Sequence, residues 1–157
     1  MWCALARDCA RPLAPKARSD LDGRDQRLVS DAMTVQRQRI GRSAEELVAD
    51  RLARAGWEIV ERNARTRFGE LDIVARDGRT LVFVEVKAGR VGSAYGPERP
   101  VLGVDHRKQQ RVRRLATVWM SERRDAPRYA EIRFDAVGVT FDRTGNAIDV
   151  EHILGAF

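Results

Sequence analysis

"GELDIVARDGRTLVFVEVK", residues 69–87, sets two acids and a lysine among apolar residues suited to a buried sheet. The runs "ELDIVAR" and "TLVFVEV" are rich in Val, Ile, Leu and Phe, and Asp77-Gly78 between them is a strong short hairpin signal. A two-residue turn at Asp77-Gly78 pairs Arg76 with Arg79, so Asp72 faces Phe83, Glu70 faces Glu85, and Glu85 lies one diagonal step from Asp72. The side-chain period of two then puts Glu70, Asp72, Phe83, Glu85 and Lys87 on one face. A four-residue loop gives the same register, whereas a three-residue loop with a bulge does not.

Diagonal neighbours stand roughly 7 to 8 Å apart, near enough for two carboxylates to share a small ion. Like charges so placed are unfavourable unless a cation lies between them. Hard oxygen ligands completed by water suit Mg2+ or Mn2+, so the expected ligands are Asp72 and Glu85. Lys87, two residues after Glu85, can reach a water or phosphate held there. A metal so bound lowers the pKa of its water and neutralises charge on a phosphoryl oxygen, as phosphodiester hydrolysis requires. A Glu-x-Lys pair also decorates many solvent-facing strands. Here, however, Leu81 and Phe83 share its face and Val82, Val84 and Val86 line the other, leaving no obvious solvated side.

Outward from the hairpin, Ile40, Ala44, Leu47, Val48, Leu52 and Ala55 recur at helical spacing between Val35 and Ala55, with Gly56 at the expected C-terminus. "WEIVER" (57–62) reads as a short strand and "NARTRFG" (63–69) as a polar link; residues 88–104, dense in Gly and Pro, read as a long loop. Asp105 can cap a helix running to about Arg124, with Val112, Leu115, Ala116 and Trp119 as its apolar stripe. Two strands follow, "AEIRFDAVGVTF" and "AIDVEHIL". The order α, β, β, β, α, β, β predicts an α/β fold with a mixed central sheet flanked by helices.

The chain of 157 residues is long enough for one domain with a sizeable core, and 43% hydrophobic and 33% charged residues fit a globular protein. No apolar run reaches the roughly 20 residues of a membrane helix, so no membrane partner is expected. Residues 1–33 lack sustained periodicity and read as a disordered extension, with 34–157 as the domain. An apolar h-region is missing and five aspartates are present, against a targeting peptide and for a cytoplasmic protein. Met33 directly precedes the organised part, which leaves open an upstream start or a tail that contacts a partner. Cys3 and Cys9 match no common zinc spacing.

The formal charge is +6 and the sequence pI about 10.1, a balance that favours a polyanionic partner. The extension holds six basic against five acidic residues, so the body carries 23 against 18 and most of the excess. Arg107, Lys108, Arg111, Arg113 and Arg114 on the second helix, with Arg65 and Arg67 before the hairpin, are candidates for a phosphate-binding rim. Phe68 and Tyr95 are candidates for stacking on bases, against core or loop-anchor roles. Trp57 and Trp119 fit the core, His152 a satisfied structural position and His106 an exposed helix start.

An acid on a first helix, an Asp on one strand and Glu-x-Lys on the next resemble the PD-(D/E)XK nuclease superfamily, in the arrangement of Holliday-junction resolvases. More closely, residues 41–87, then "AYG", the spacing from Val104 to Lys108, "RFDAV" and the terminal "HILGAF" resemble the uncharacterised bacterial YraN-type family, over about residues 36–157. The resemblance implies a restriction-endonuclease-like fold and a metal-dependent endonuclease acting on DNA. It makes Glu45 the helix-borne acid, Asp72 and Glu85 the metal ligands and Lys87 the catalytic lysine. It also places Asn63, Arg65, Gly69 and Glu70 in a shared motif, and brings Gln109 toward the site. Resolvases act as dimers on symmetric junctions, which makes a homodimer an expectation. Ala44, Val48, Ala136 and Gly155 depart from the family pattern at small positions that touch packing rather than the metal site. A non-catalytic nucleic-acid-binding or adaptor protein retaining the fold is the alternative, and a module binding an acidic protein through the arginine-rich helix a third.

Overall fold

A computed structural model describes residues 23–92, 99–123 and 126–157. The chain order is α1 (Gly23–Arg54), β1 (Glu58–Thr66), β2 (Gly69–Asp77), β3 (Thr80–Arg90), a 3-10 turn (Pro100–Gly103), α2 (His106–Glu122), β4 (Glu131–Phe141) and β5 (Ala147–Ile153). The strands form one sheet in the order β1-β2-β3-β4-β5. Only β3 and β4 run parallel; the other neighbours are antiparallel. The crossover between the parallel strands carries α2, as parallel neighbours require. This is the mixed sheet flanked by helices that the sequence predicts, and it is consistent with a restriction-endonuclease-like fold.

Alternation along the strands supplies the two faces. Ile73, Ala75, Val82, Val84, Val86, Val137, Val139 and Phe141 meet Ala44, Val48, Ala49 and Leu52 of α1. Val74, Leu81 and Phe83, with Ala64 and Leu71, meet Val112, Leu115, Ala116 and Trp119 of α2. The middle of β3 is therefore covered on both sides: every residue from Leu81 to Val86, Glu85 included, is buried.

The expected hairpin is present with its register moved by two residues. Asp77 pairs with Thr80, so Gly78 and Arg79 form the loop and Val74, not Asp72, faces Phe83. Gly78 at φ 60° occupies the first loop position, where a II′ turn favours glycine. The sequence signal placed the glycine second. A shift of two preserves parity over the paired residues, from Ile73 opposite Val84 to Asp77 opposite Thr80, whereas Leu71 beyond them packs with Val74 and Phe83 rather than with Ile73.

Three boundaries also differ. Residues 63–66 continue β1 because they pair with β2, from Ala64 opposite Leu71 to Thr66 opposite Gly69, and Ala64 is fully buried. Long-range pairing here overrides a locally polar composition. β3 runs on to Arg90 inside the expected loop. Helix α1 begins at Gly23 rather than near Val35; its first turns mix helix formers such as Arg24, Gln26, Arg27, Leu28, Ala32 and Met33 with weaker ones and carry no apolar period, so the pattern gave no signal there. The 3-10 turn lies close over β3 and β4, where a Cβ on Gly138 would stand 2.6 Å from Val101 N and one on Gly89 2.5 Å from Pro100 Cγ.

Candidate active site

Strand pairing between β2 and β3 extends regularly to Ile73 opposite Val84, and continuing that register sets Asp72 directly opposite Glu85. Regular pairing stops one step short of that, and Asp72 stays near enough for the Glu85 carboxylate to act on it. Instead of a regular ladder bond, Asp72 Oδ2 accepts from the Val86 backbone N–H at 2.8 Å. Glu85 is only 2% exposed.

Two ammonium groups converge on one Glu85 oxygen. Lys87 Nζ lies 2.9 Å and Lys108 Nζ 2.8 Å from Oε1. Lys87 is delivered by the strand period and Lys108 by the first turn of α2, which Asp105 anchors by accepting from Lys108 N at 2.8 Å. The structure therefore separates Lys108 from the rim to which charge patterning assigned it and makes it part of the carboxylate cluster. Gln109 turns the other way and donates to Val104 O at 3.1 Å.

Glu45 and Glu70 join through Asn63. With its amide nitrogen toward the acids, Asn63 donates to Glu45 Oε2 and to Glu70 Oε1, each at 2.8 Å. Asn63 sits at φ 50°, a left-handed conformation that asparagine tolerates better than most residues. One strand residue thus ties the helix-borne acid to the start of β2.

Electrostatics follow from this crowding. Burial, then the neighbouring Glu85 carboxylate, push the Asp72 carboxyl up to about 7, against the Val86 N–H and the Lys108 charge that pull it down. Burial and the neighbouring Glu70 likewise raise Glu45. Four carboxylates thus gather with the Lys87 and Lys108 ammonium groups, while Arg65 reaches Glu70 and Arg62 and Arg42 act on Glu45 from outside.

Among the described residues, no three His, Cys, Asp or Glu side chains are arranged to hold a metal ion together. Mg2+ usually takes one or two carboxylates and fills its octahedron with water and substrate phosphate. The Asp72 and Glu85 pair meets that description: the hydrogen bonds above engage Oδ2 of one and Oε1 of the other, and each carboxylate has a second oxygen. The residues fit a hard divalent cation held at two points.

Beside this cluster, the two-residue loop Arg67-Phe68 between β1 and β2 approaches α2. Phe68 stands under two guanidinium groups, Arg114 at 4.4 Å and Arg67 at 4.7 Å from its ring centroid. Arg107 and Arg111 line the same recess. Arg65 is highly exposed and reaches only toward Glu70, at 3.8 Å. Arg113 points elsewhere, over Phe134 at 5.0 Å. Tyr95 lies outside the described residues.

A second buried carboxylate escaped the sequence reading. Asp135 on β4 has 0% exposure and accepts from Arg133 Nε at 2.9 Å, Gly155 N at 2.9 Å and the His152 ring, whose Nε2 is 3.0 Å away. His152 is thus a structural residue, as expected, and Trp119 a core one whose Nε1 donates to Glu61 at 2.7 Å. Trp57 is half-buried against the core beneath Arg133. The sequence segment "RFDAV" was the signal for Asp135, but a lone acid in a strand does not announce partners from β5 and the C-terminus.

A mixed five-stranded sheet with a carboxylate and lysine cluster at the parting of two strands defines an α/β protein of the restriction-endonuclease-like kind in architecture. Within that class, residues 44–139 match the model of the Uncharacterised protein family UPF0102, the YraN-type family of the sequence resemblance, and the chain belongs to it. Similar proteins include a UPF0102 protein of Geobacter metallireducens, 42% identical over 80% of this chain and 97% of its own length. Another, from Nocardia farcinica, is 45% identical over 77% of this chain and 91% of its own. A third, from Parafrankia, is 49% identical over 76% and 97%. No helix among the described residues is long and apolar enough to cross a membrane.

Proposed function

We propose that this protein is a metal-dependent endonuclease that hydrolyses phosphodiester bonds of DNA, with branched or processing intermediates as substrates. The observation that carries the reading is the Asp72 and Glu85 pair at the end of the β2–β3 ladder, anchored by Asp72 on the Val86 N–H and by two lysines on Glu85, in which burial and then the neighbouring carboxylate raise Asp72 to about 7. Strongly perturbed acids in a cluster with defined charge partners are characteristic of working sites.

Asp72 and Glu85 would hold the Mg2+ or Mn2+. When bound, that ion supplies a more acidic water and positive charge against the phosphoryl oxygens. Lys87 and Lys108 are displaced from their shared Glu85 oxygen toward the incoming phosphate, where Lys87 orients the attacking water and stabilises the developing negative charge. Glu45 acts through Asn63, fixing the start of β2 and with it Asp72. Arg65, Arg67, Arg107 and Arg111 steer the polyanion.

The test is a magnesium and manganese titration of wild type and Glu85→Ala, read by calorimetry and by cleavage of single-stranded, duplex and branched DNA. Wild type is expected to bind metal and cut at least one substrate. Asp72→Ala and Glu85→Ala are expected to lose about 100-fold or more of that cleavage while staying folded. Wild type that never nicks any of these substrates would sink the reading.

One observation favours a second reading. Two lysines already neutralise Glu85, a closed ion network that a non-catalytic nucleic-acid-binding or adaptor protein could retain. Salt-dependent DNA binding unchanged by Asp72→Ala, with no cleavage, is its signature.

A further inference from the structure

The recess between the β1–β2 loop and α2 is lined by Phe68, Arg107, Gln110, Arg111, Arg114 and Leu115, and encloses about 370 Å³. Its floor is apolar and its rim cationic. Phe68 is 45% exposed at the tip of a tight loop, although two guanidinium groups lie over its ring. Arg114 lies 4.4 Å and Arg67 4.7 Å from the ring centroid, so cations already sit where a base and its phosphate would meet the ring. Arg67 also reaches Glu122 at 4.0 Å. By contrast, among the described residues Arg107, Arg111 and Arg114 have no carboxylate partner, while Arg76, Arg99, Arg123 and Arg133 each do.

The recess is joined to the carboxylate cluster at two points. Lys108, on Glu85, lies one helical turn before Arg111 and beside Arg107, so one face of α2 carries the cations of both sites. Arg111 packs over Gly69, immediately before Glu70; a Cβ there would stand 2.8 Å from Arg111 Nη2. Gly69 at φ 145° therefore leaves the space that the guanidinium fills.

We propose that this recess is a stacking subsite for an unpaired nucleotide, with the Phe68 ring as the platform and Arg107 and Arg111 holding the adjoining phosphates. Aromatic platforms in cationic grooves bind single strands because every base has a π face, whereas bases in a duplex are stacked on each other and present only their edges. The substrate class is then nucleic acid with a single-stranded stretch next to the bond at the cluster. This extends the nucleic-acid part of the function proposed above and rests on it, but it requires neither metal nor catalysis.

The experiment measures fluorescence anisotropy of the full chain with labelled oligothymidine, oligouridine and a blunt DNA duplex of equal length, in EDTA. Wild type is expected to prefer the single strands. Phe68→Ala is expected to weaken them about 10-fold or more and the duplex less than about 2-fold, with Phe68→Trp restoring single-strand affinity. Arg111→Ala should weaken all three, as phosphate contacts do. Thermal melting of each variant verifies folding, and loss at this exposed position is expected to be small. Preference for both single strands over the duplex, lost in Phe68→Ala, supports the subsite. Equal loss on duplex and single strand, unchanged binding by Phe68→Ala, or no nucleic-acid binding by wild type would overturn it. Binding by an Asp72→Asn, Glu85→Gln double variant separates the two ideas: cleavage lost with the Phe68 effect intact leaves the subsite standing, and cleavage retained in Phe68→Ala with unchanged strand affinity removes only the subsite.

Discussion

Two buried carboxylates occupy neighbouring strands a single pairing step apart, Glu85 on β3 and Asp135 on β4. Because Asp135 pairs with Val84 and Glu85 with Ala136, the two acids point to opposite faces of the sheet. Each has two basic side chains in reach. Their surroundings nevertheless differ in kind. Burial pushes the Asp135 carboxyl up, but bonds from the His152 imidazole, the Arg133 guanidinium and the Gly155 N–H outweigh it and hold the group below its ordinary value. Glu85 shares one oxygen between two lysines and lies near another carboxyl, that of Asp72, which is driven up to about 7. The first cluster is satisfied by the fold, and it fastens β4 to β5 and to the C-terminal turn. The second retains repulsion that the fold does not relieve, as expected where stability has been given up for a site.

The comparison is broken most directly by removing each acid. Asp135→Ala leaves Arg133 and His152 facing an empty site and frees Gly155, with an expected loss of about 3 kcal/mol, the range for breaking a buried pair. In a chain of this size that is a fall in melting temperature on the order of 10 °C. Asp72→Asn removes a repelling charge and should leave the melting temperature at pH 8 unchanged or higher. A comparable fall in both variants, measured by calorimetry, would show that the two clusters are equally structural.

Stability against pH sharpens the same contrast, because the signs are opposite. Asp72 has a folded value near 7 against 3.8 in the unfolded chain, so folding takes up a proton between those values. Stability from this group therefore declines as pH rises from about 4 to about 7. Asp135 has its folded value below 3.8, so its contribution is present above about pH 4 and is lost as pH falls through the lower, folded value. Denaturant titrations across pH 3 to 8 should show the neutral-range decline abolished in Asp72→Asn and retained in Asp135→Asn. Under the metal binding proposed above, millimolar magnesium should flatten it in wild type, the cation taking the place of the proton.

The asymmetry between the clusters also explains what could be read in advance. Asp72, Glu85 and Lys87 lie on one hairpin, and a period of two with a glycine turn keeps them together even when the register is misjudged by two residues. The fold class follows from the order of the elements. By contrast, Lys108 reaches Glu85 from another helix, and Asp135 gathers partners from β5 and the C-terminus, 17 and 20 positions away. Such contacts depend on how elements pack, which no local pattern encodes. Asn63 is intermediate: the family motif marks it, but its role as the link between Glu45 and Glu70 needs the strand pairing and its unusual backbone angle. The continuation of β1 through "NART" is similar, since only its partner strand reveals it.

Lys108→Met gives a small expected loss of stability and the finest test of the comparison. Glu85 keeps Lys87, and the replaced side chain retains its apolar stem, so the loss should be no more than about 1 to 2 kcal/mol. Its electrostatic effect is more specific. Lys108 is one of the charges that lower Asp72, so its removal should move the Asp72 titration above its wild-type position, visible as the carboxyl carbon shift in an NMR pH series. Arg133→Met, which strips a comparable cation from the satisfied cluster, should instead lower stability at neutral pH and leave the Asp72 titration in place, because Asp135 and its partners lie across the sheet. If both variants moved Asp72 equally, the sheet would not insulate the clusters, and the repulsion at Asp72 would belong to the whole buried layer rather than to a local site.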